Sequence, residues 1–186
     1  MLKKITLFFI VFIFLDIQLL ADEKEIIIQK LNKINSIKFN FVQTSNNKRE
    51  EGICLLKFPK RLKCIYNDKN QKELIINNKT LVIMQKRYNK TYYYSIVNSP
   101  FEKILEKKKL LNILRTSKLN KKNEVIIFEN FDEQNQILNI LFNEIDYSLL
   151  GWEMVDKFNN NIIFLINIIS TNKKFSPTEF KIPRLN

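Results

Sequence analysis

EGICLLKFPKRLKCIYNDKNQKELIINNKTLVIM, residues 51–84, reads as four short strands separated by turns, and that reading sets the fold class. Glu51 to Phe58 and Arg61 to Tyr66 are strand-like runs around Pro59-Lys60, and Lys72 to Asn77 and Lys79 to Met84 are two more around Asn77-Asn78. Asn tolerates positive φ better than most residues, so the Asn pair can supply the tight turn of a hairpin. The pattern extends in both directions. Upstream, Ser36 to Ser45 has period two, with Ile37, Phe39 and Phe41 on one face and Lys38 and Asn40 on the other. Downstream, Thr91 to Val97, with its three consecutive tyrosines, is β-prone.

The C-terminal third returns to strands at Glu124 to Phe128, Gln136 to Phe142, Leu150 to Phe158 and Ile162 to Thr171, with a last short piece at Phe180 to Ile182. Asn159 to Asn161 is the expected turn between two of these. Ile162 to Ile169 is apolar on both faces apart from Asn167, so that strand is expected to be covered on both sides. Two segments break the β pattern. Asp22 to Ile34 places Ile27, Ile28, Leu31 and Ile34 on one helical stripe. Ser99-Pro100 is a good helix start, and Phe101, Ile104, Leu105, Leu111 and Leu114 mark one face to about Arg115. The expectation is an α+β chain, mainly antiparallel β, of about ten strands with two or three helices, large enough to curl around something.

Gly occurs twice and Pro four times in 186 residues, so no flexible spacer divides the chain, and residues 22–186 read as one domain. Residues 1–21 have the anatomy of a signal peptide: Lys3 and Lys4, an unbroken apolar run from Ile5 to Leu15, then Ala21 before the polar Asp22 to Glu25. The run is shorter than the roughly 20 residues of a spanning helix. Cleavage after Ala21 places the domain in the periplasm. The first Cys is Cys54, so the leader's end carries no lipid-attachment cysteine.

The formal charge is +12, but the lysines are spread along the chain beside equally heavy Asn and Ile, the composition of an AT-rich genome. No nucleic-acid partner is read from it. The chain has no His, which removes Ser-His-Asp and Cys-His catalysis and the commonest metal ligand. Two cysteines without His make no structural zinc site, and two distant glycines make no phosphate loop. No catalytic residue, cofactor or metal is expected. Cys54 and Cys64 lie across Pro59-Lys60. A three-residue loop, Phe58 to Lys60, would set them opposite each other for a disulfide, whereas two or four residues would set them on opposite faces as separate thiols.

FPKRLKCIY (58–66), ELIINNKTLVI (73–83), SPFEKIL (99–105), LLGWEMVDKFNNNIIFLINI (149–168) and FKIP (180–183), in this order, resemble the LolA-type outer-membrane lipoprotein carrier family. Phe41 and Gln43 at a strand end, Gly52 opening the next strand and the Pro-led helix also fit that pattern. The resemblance implies a half-open β-barrel whose helices act as a lid over an apolar cavity for the acyl chains of lipoproteins. It implies a monomer that takes cargo from an inner-membrane lipoprotein-releasing transporter and passes it to an outer-membrane acceptor lipoprotein. The expected cavity lining is Phe39, Phe41, Leu55, Leu62, Phe101, Ile104 and Leu105. Spacing alone also fits an ordinary core for these residues. In well-known members an Arg that contacts the lid stands just before the turn Pro. Here Phe58 holds that place, and Arg61 is the nearest Arg and the expected lid or turn contact. Asn also stands in the turn near Asn78 where the pattern has Gly. The rival reading is a lipid- or lipoprotein-sensing module of the same fold, tethered to the inner membrane by an uncleaved leader.

Overall fold

The structure, a computed structural model, describes residues 23–46, 48–131, 137–155 and 160–183. The leader expected at 1–21 lies outside the described residues, as does Asn159 of the expected turn. Eleven strands form one sheet: β1 Ser36–Ser45, β2 Lys48–Lys57, β3 Arg61–Tyr66, β4 Lys72–Asn77, β5 Thr80–Gln85, β6 Lys90–Ser95, β7 Lys118–Lys122, β8 Val125–Phe131, β9 Ile137–Asn143, β10 Leu149–Val155 and β11 Asn161–Thr171. Their spatial order is β6-β5-β4-β3-β2-β1-β11-β10-β9-β8-β7, antiparallel throughout. Two meanders are therefore joined where the first strand meets the last.

That topology leaves β6 and β7 as the two free edges, and the chain connecting them carries α2 (Pro100–Leu105) and α3 (Lys107–Thr116). A third helix, α1 (residues 23–32), precedes β1. The architecture is an open barrel of antiparallel strands with three helices. The second expected helix is split in two because Glu106 leaves helical geometry at φ −100 and ψ 103. Strand β7 is one that periodicity does not reveal. KLNKK has no apolar alternation, and pairing with β8 imposes its conformation, while its lysines suit an exposed edge.

Alternation sorts each strand into two faces. Ile37, Phe39 and Phe41 of β1, Leu56 of β2, Leu62 of β3, Ile76 of β4, Ile140 of β9, Trp152 of β10 and Phe164 of β11 belong to one buried cluster with Ile27 and Leu31 of α1, Leu105 of α2 and Leu114 of α3. This is the concave face. Register shifts at Lys38/Phe39 and Leu149/Gly151 strengthen the local twist that curls the sheet. Gly151 has φ +144, a conformation side chains disfavour, and a Cβ there would lie 2.0 Å from the Phe164 carbonyl oxygen.

Two expectations are corrected on the convex face. Strand β11 is not covered on both sides: Leu165 is 45% exposed and Ile169 49%, because only its alternate residues, Phe164 and Ile166 among them, face the concave cluster. Phe180 to Ile182 is not a strand. Pro177–Phe180 is a single 3-10 turn, capped by the Ser176 side chain, that straps the outside of β3 and β4. Phe180 is fully buried there and its carbonyl accepts from Asn77 Nδ2 at 3.1 Å. Tyr93 donates to the Pro183 carbonyl at 3.3 Å, and Lys63 bridges Glu73 and Glu179. The strap's backbone has no strand edge to join, so side chains hold it.

Gly52 is a second position where packing leaves no room for a side chain. It sits between Phe41 and Tyr66 in the register, and the missing side chain lets those rings meet edge-on at 4.9 Å across β2. A Cβ would lie 2.1 Å from the Ile65 carbonyl oxygen and 2.9 Å from Phe41 Cε1. Gly52→Ala is expected to destabilise the fold by about 1–3 kcal/mol in urea unfolding through overpacking; an unchanged midpoint would contradict this placement.

Candidate functional site

The site is the interface between the concave face and α1–α3. Ser99 starts α2 by accepting from the Glu102 amide, Pro100 takes the first turn, and Glu102 Oε2 accepts from the Asn98 amide at 3.0 Å, a reciprocal cap. With its N-terminus fixed this way, α2 turns Ile104 and Leu105 onto the sheet. In α3 the apolar positions Leu110, Leu111, Ile113 and Leu114 form one buried face, while Lys108 and Lys109 are exposed. The greasy side of the linker thus lies in the hollow of the sheet.

Polar contacts hold the helices at their ends. The Pro59 turn, with a cis Phe58–Pro59 peptide and Lys60 at φ 53, reaches α2 twice. The Lys60 amide donates to the Leu105 carbonyl at 2.8 Å, and Lys60 Nζ pairs with Glu102 at 3.0 Å and Glu106 at 3.2 Å. Lys109 also reaches Glu102, at 3.2 Å. Helix α1 is tied to α3 through Lys107, which donates to the Asn32 carbonyl and Asn35 Oδ1, and through Lys24, which donates to the Ser117 carbonyl. The Asn98 amide, followed by Lys60, holds the Glu102 carboxyl well below its ordinary 4.5, at about 2.

Of the residues expected from the sequence, Phe39, Phe41, Leu62, Ile104 and Leu105 come together in the buried concave cluster, and Phe101 packs half-buried against it. Leu55 does not. It pairs with Lys38 and Lys63 on the convex face, while its neighbours Cys54 and Leu56 point inward. A one-residue step along a strand reverses the face. Arg61 is likewise corrected: it shares the convex parity of Lys57 and Lys63, opposite Leu62, and the lid contact is made by Lys60, one residue earlier. Turn geometry, which spacing cannot supply, decides between them. The loop has three residues, so Cys54 stands opposite Cys64 and the two form a disulfide on the concave side.

An aromatic row along the concave floor is absent from those expectations. Trp152 stacks on Phe164 at 4.6 Å, Phe164 on Phe41 at 4.8 Å, and Phe41 meets Tyr66. No signal in the sequence finds it: a turn at Asn159 to Asn161 would set Trp152 opposite Ile168, whereas the observed register, with Val155 opposite Asn161, sets it beside Phe164. At the other end of the row the Tyr66 hydroxyl donates to Gln43 Oε1 at 3.1 Å and Lys72 Nζ lies 3.7 Å over the Tyr66 ring. Burial pushes the Tyr66 hydroxyl up, and the charges of Glu50 and Asp68 add to it.

A cleft of about 460 Å³ leads under the C-terminal end of α1 towards this cluster, with Leu31, Ile34, Leu149 and Ile168 as walls and Lys30 and Asp146 on the rim. A separate open groove of about 640 Å³ lies across the convex side of β11, β1, β2 and β3, over Val42, Ile53, Ile65 and Leu165. Among the described residues no cluster of His, Cys, Asp and Glu has metal-binding geometry, and no helix is long and apolar enough to cross a membrane.

Residues 32–183 match the profile described as outer membrane lipoprotein carrier protein LolA. The chain belongs to the LolA family. Among solved structures it is similar to a LolA-superfamily protein of Nitrosomonas europaea, at 8% identity and TM-score 0.45, covering 85% of this chain and 97% of that one. It is also similar to LprF of Mycobacterium bovis, at 9% identity and TM-score 0.46, covering 84% and 95%. A DUF1329-family protein of Desulfovibrio piger aligns at 8% identity and TM-score 0.48, covering 87% and 96%. No curated protein sequence matches the chain. In this LolA-family chain the helices that connect the sheet's edges stand where the family's lid is expected.

The depressed Glu102 carboxyl gives the lid contact a pH signature. A carboxyl with a folded value below its unfolded one contributes stability in full above about 4.5 and loses it as pH falls towards about 2. Glu102→Gln should therefore lower the melting temperature relative to wild type at neutral pH, and the gap should shrink steadily between those two pH values. A gap independent of pH would remove Glu102 as an ionised latch.

Proposed function

We propose that the protein is a periplasmic carrier that shields the acyl chains of lipoproteins between its concave sheet and its helices, moving them from an inner-membrane lipoprotein-releasing transporter to an outer-membrane acceptor lipoprotein. The observation that carries this is the apolar concave face covered by a helical linker whose own apolar side chains are buried in it. Family membership supports cargo of that class. The Cys54–Cys64 disulfide supports an oxidising compartment, and the leader read at residues 1–21 supports export.

The mechanism is an exchange of covers. A buried methylene is worth roughly 0.8 kcal/mol, so one acyl chain of about a dozen carbons left in water costs on the order of 10 kcal/mol. Sheltering it against Phe39, Phe41, Leu62 and the aromatic row recovers much of that. The lid helices must leave first, and Ile104, Leu105, Leu110, Leu111 and Leu114 lose their burial as they do. Cargo affinity is the difference between the two burials, which makes release to an acceptor feasible. The cleft beneath α1 is the opening from which chains slide in. Lys60, through its contacts with Leu105, Glu102 and Glu106, adds to the opening cost without touching cargo.

Co-production with an acylated lipoprotein tests the reading. A soluble periplasmic complex should form, and replacing the lipoprotein's acylated cysteine with Ser should abolish it. Retention of the unacylated polypeptide, or no complex with the acylated one, would reject the carrier role. Lys60→Ala should tighten cargo binding by up to about five-fold and slow hand-over to an acceptor, since the weakened contact resists opening less. Weaker binding in that variant would show that Lys60 acts on cargo rather than on the lid.

A further inference from the structure

We propose that the indole N–H of Trp152 donates a hydrogen bond to an acyl carbonyl oxygen of the cargo, so that the site prefers ester-linked acyl chains to ether-linked alkyl chains of equal length. The inference rests on the carrier reading and names the chemical group by which cargo is recognised. Trp152 is only 3% exposed, and its Nε1 has no hydrogen-bond partner among the described residues. Buried indole N–H groups ordinarily find an acceptor, and one left without costs more than one never present.

Position makes the orphan meaningful. Trp152 belongs to the buried concave cluster, the surface that cargo would cover on the carrier reading. Its cross-strand partners are Ile140 and Phe164, whose side chains offer no acceptor. Its ring stacks on Phe164 with an interplanar angle of 7°. Along the row the remaining polar atom, the Tyr66 hydroxyl, already donates to Gln43. The other buried unpaired side-chain atoms, Glu23 Oε2 and Asn139 Oδ1, are acceptors, and Asn139 is on the convex side beside Glu153. The concave floor therefore presents flat aromatic surface for hydrocarbon and, among the described residues, one buried side-chain donor without a partner. A diacylglyceryl group matches that pair: two hydrocarbon chains, each joined through an ester carbonyl that is a strong acceptor. The dialkyl ether has the chains without the carbonyls.

Displacement of a fluorescent fatty-acid probe by dipalmitoylglycerol and by dihexadecylglycerol, on the full mature chain, separates the outcomes. Wild type should bind the ester tighter by roughly three- to ten-fold. Trp152→Phe should bind ester and ether equally, losing the preference whatever its affinity for the pair, and an unchanged far-ultraviolet circular dichroism spectrum should report its intact fold. Equal affinity of wild type for both lipids, or an ester preference that survives in Trp152→Phe, overturns the assignment. Trp152 is the chain's single Trp, so its emission gives a second reading in the unmutated protein: the ester should shift it to longer wavelength relative to the ether, and identical spectra would count against the bond. Binding of neither lipid would instead overturn the carrier reading on which the assignment stands.

Discussion

An apolar concave face cannot be left to water, and that constraint organises the molecule. The sheet has too many strands to lie flat and too few pairings to close, so β6 and β7 remain edges with a greasy hollow between them. The chain crosses that hollow because it must travel from one edge to the other. By making the crossing amphipathic, the sequence turns a topological necessity into a cover. Once the cover exists, any ligand that competes for the hollow must itself be greasy.

The convex side follows a different logic. Phe180 and the strap around it cover β3 and β4, while Leu165, Ile65 and Ile169 remain exposed further along. Charged pairs cluster around the strap, Lys63 with Glu73 and Glu179, and Lys86 with Glu73. The strap is thus held by side chains at a sheet surface, and the lid by a few polar contacts at its ends. The two differ in what lies beneath them. Under the strap are Ile75 and Val82, a small patch; under the lid is the whole concave cluster.

Much of this was legible in the sequence, for identifiable reasons. Period-two runs such as Ser36 to Ser45 reveal both the strands and which residues share a face, as Phe39 and Phe41 do. The Ser99-Pro100 helix start survived because its cap is local: Ser99, Pro100 and Glu102 satisfy each other within four residues. Legibility ended where structure is imposed from a distance. Strand β7 exists because β8 pairs with it, and the Phe180 segment is a strap because no edge is free beside it. Leu55 and Arg61 were misplaced by one step of parity around the Pro59 turn, which the turn's backbone fixes and the residue types do not. Trp152 stands out in the sequence only as part of a family pattern; its stacking on Phe164 and its unpaired indole N–H depend on the fold.

On the carrier reading, cargo and lid compete for one surface. Hydrogen exchange at the Lys60 amide, which donates to the Leu105 carbonyl at 2.8 Å, reads that competition directly. Loading the protein with an acylated lipoprotein should cost the Lys60 amide and those of α2 and α3 their protection, while amides between β1 and β11 keep theirs. Loaded protein in which the Lys60 amide and both helices stay as protected as in the empty form would mean that cargo binds elsewhere, and the account would fail.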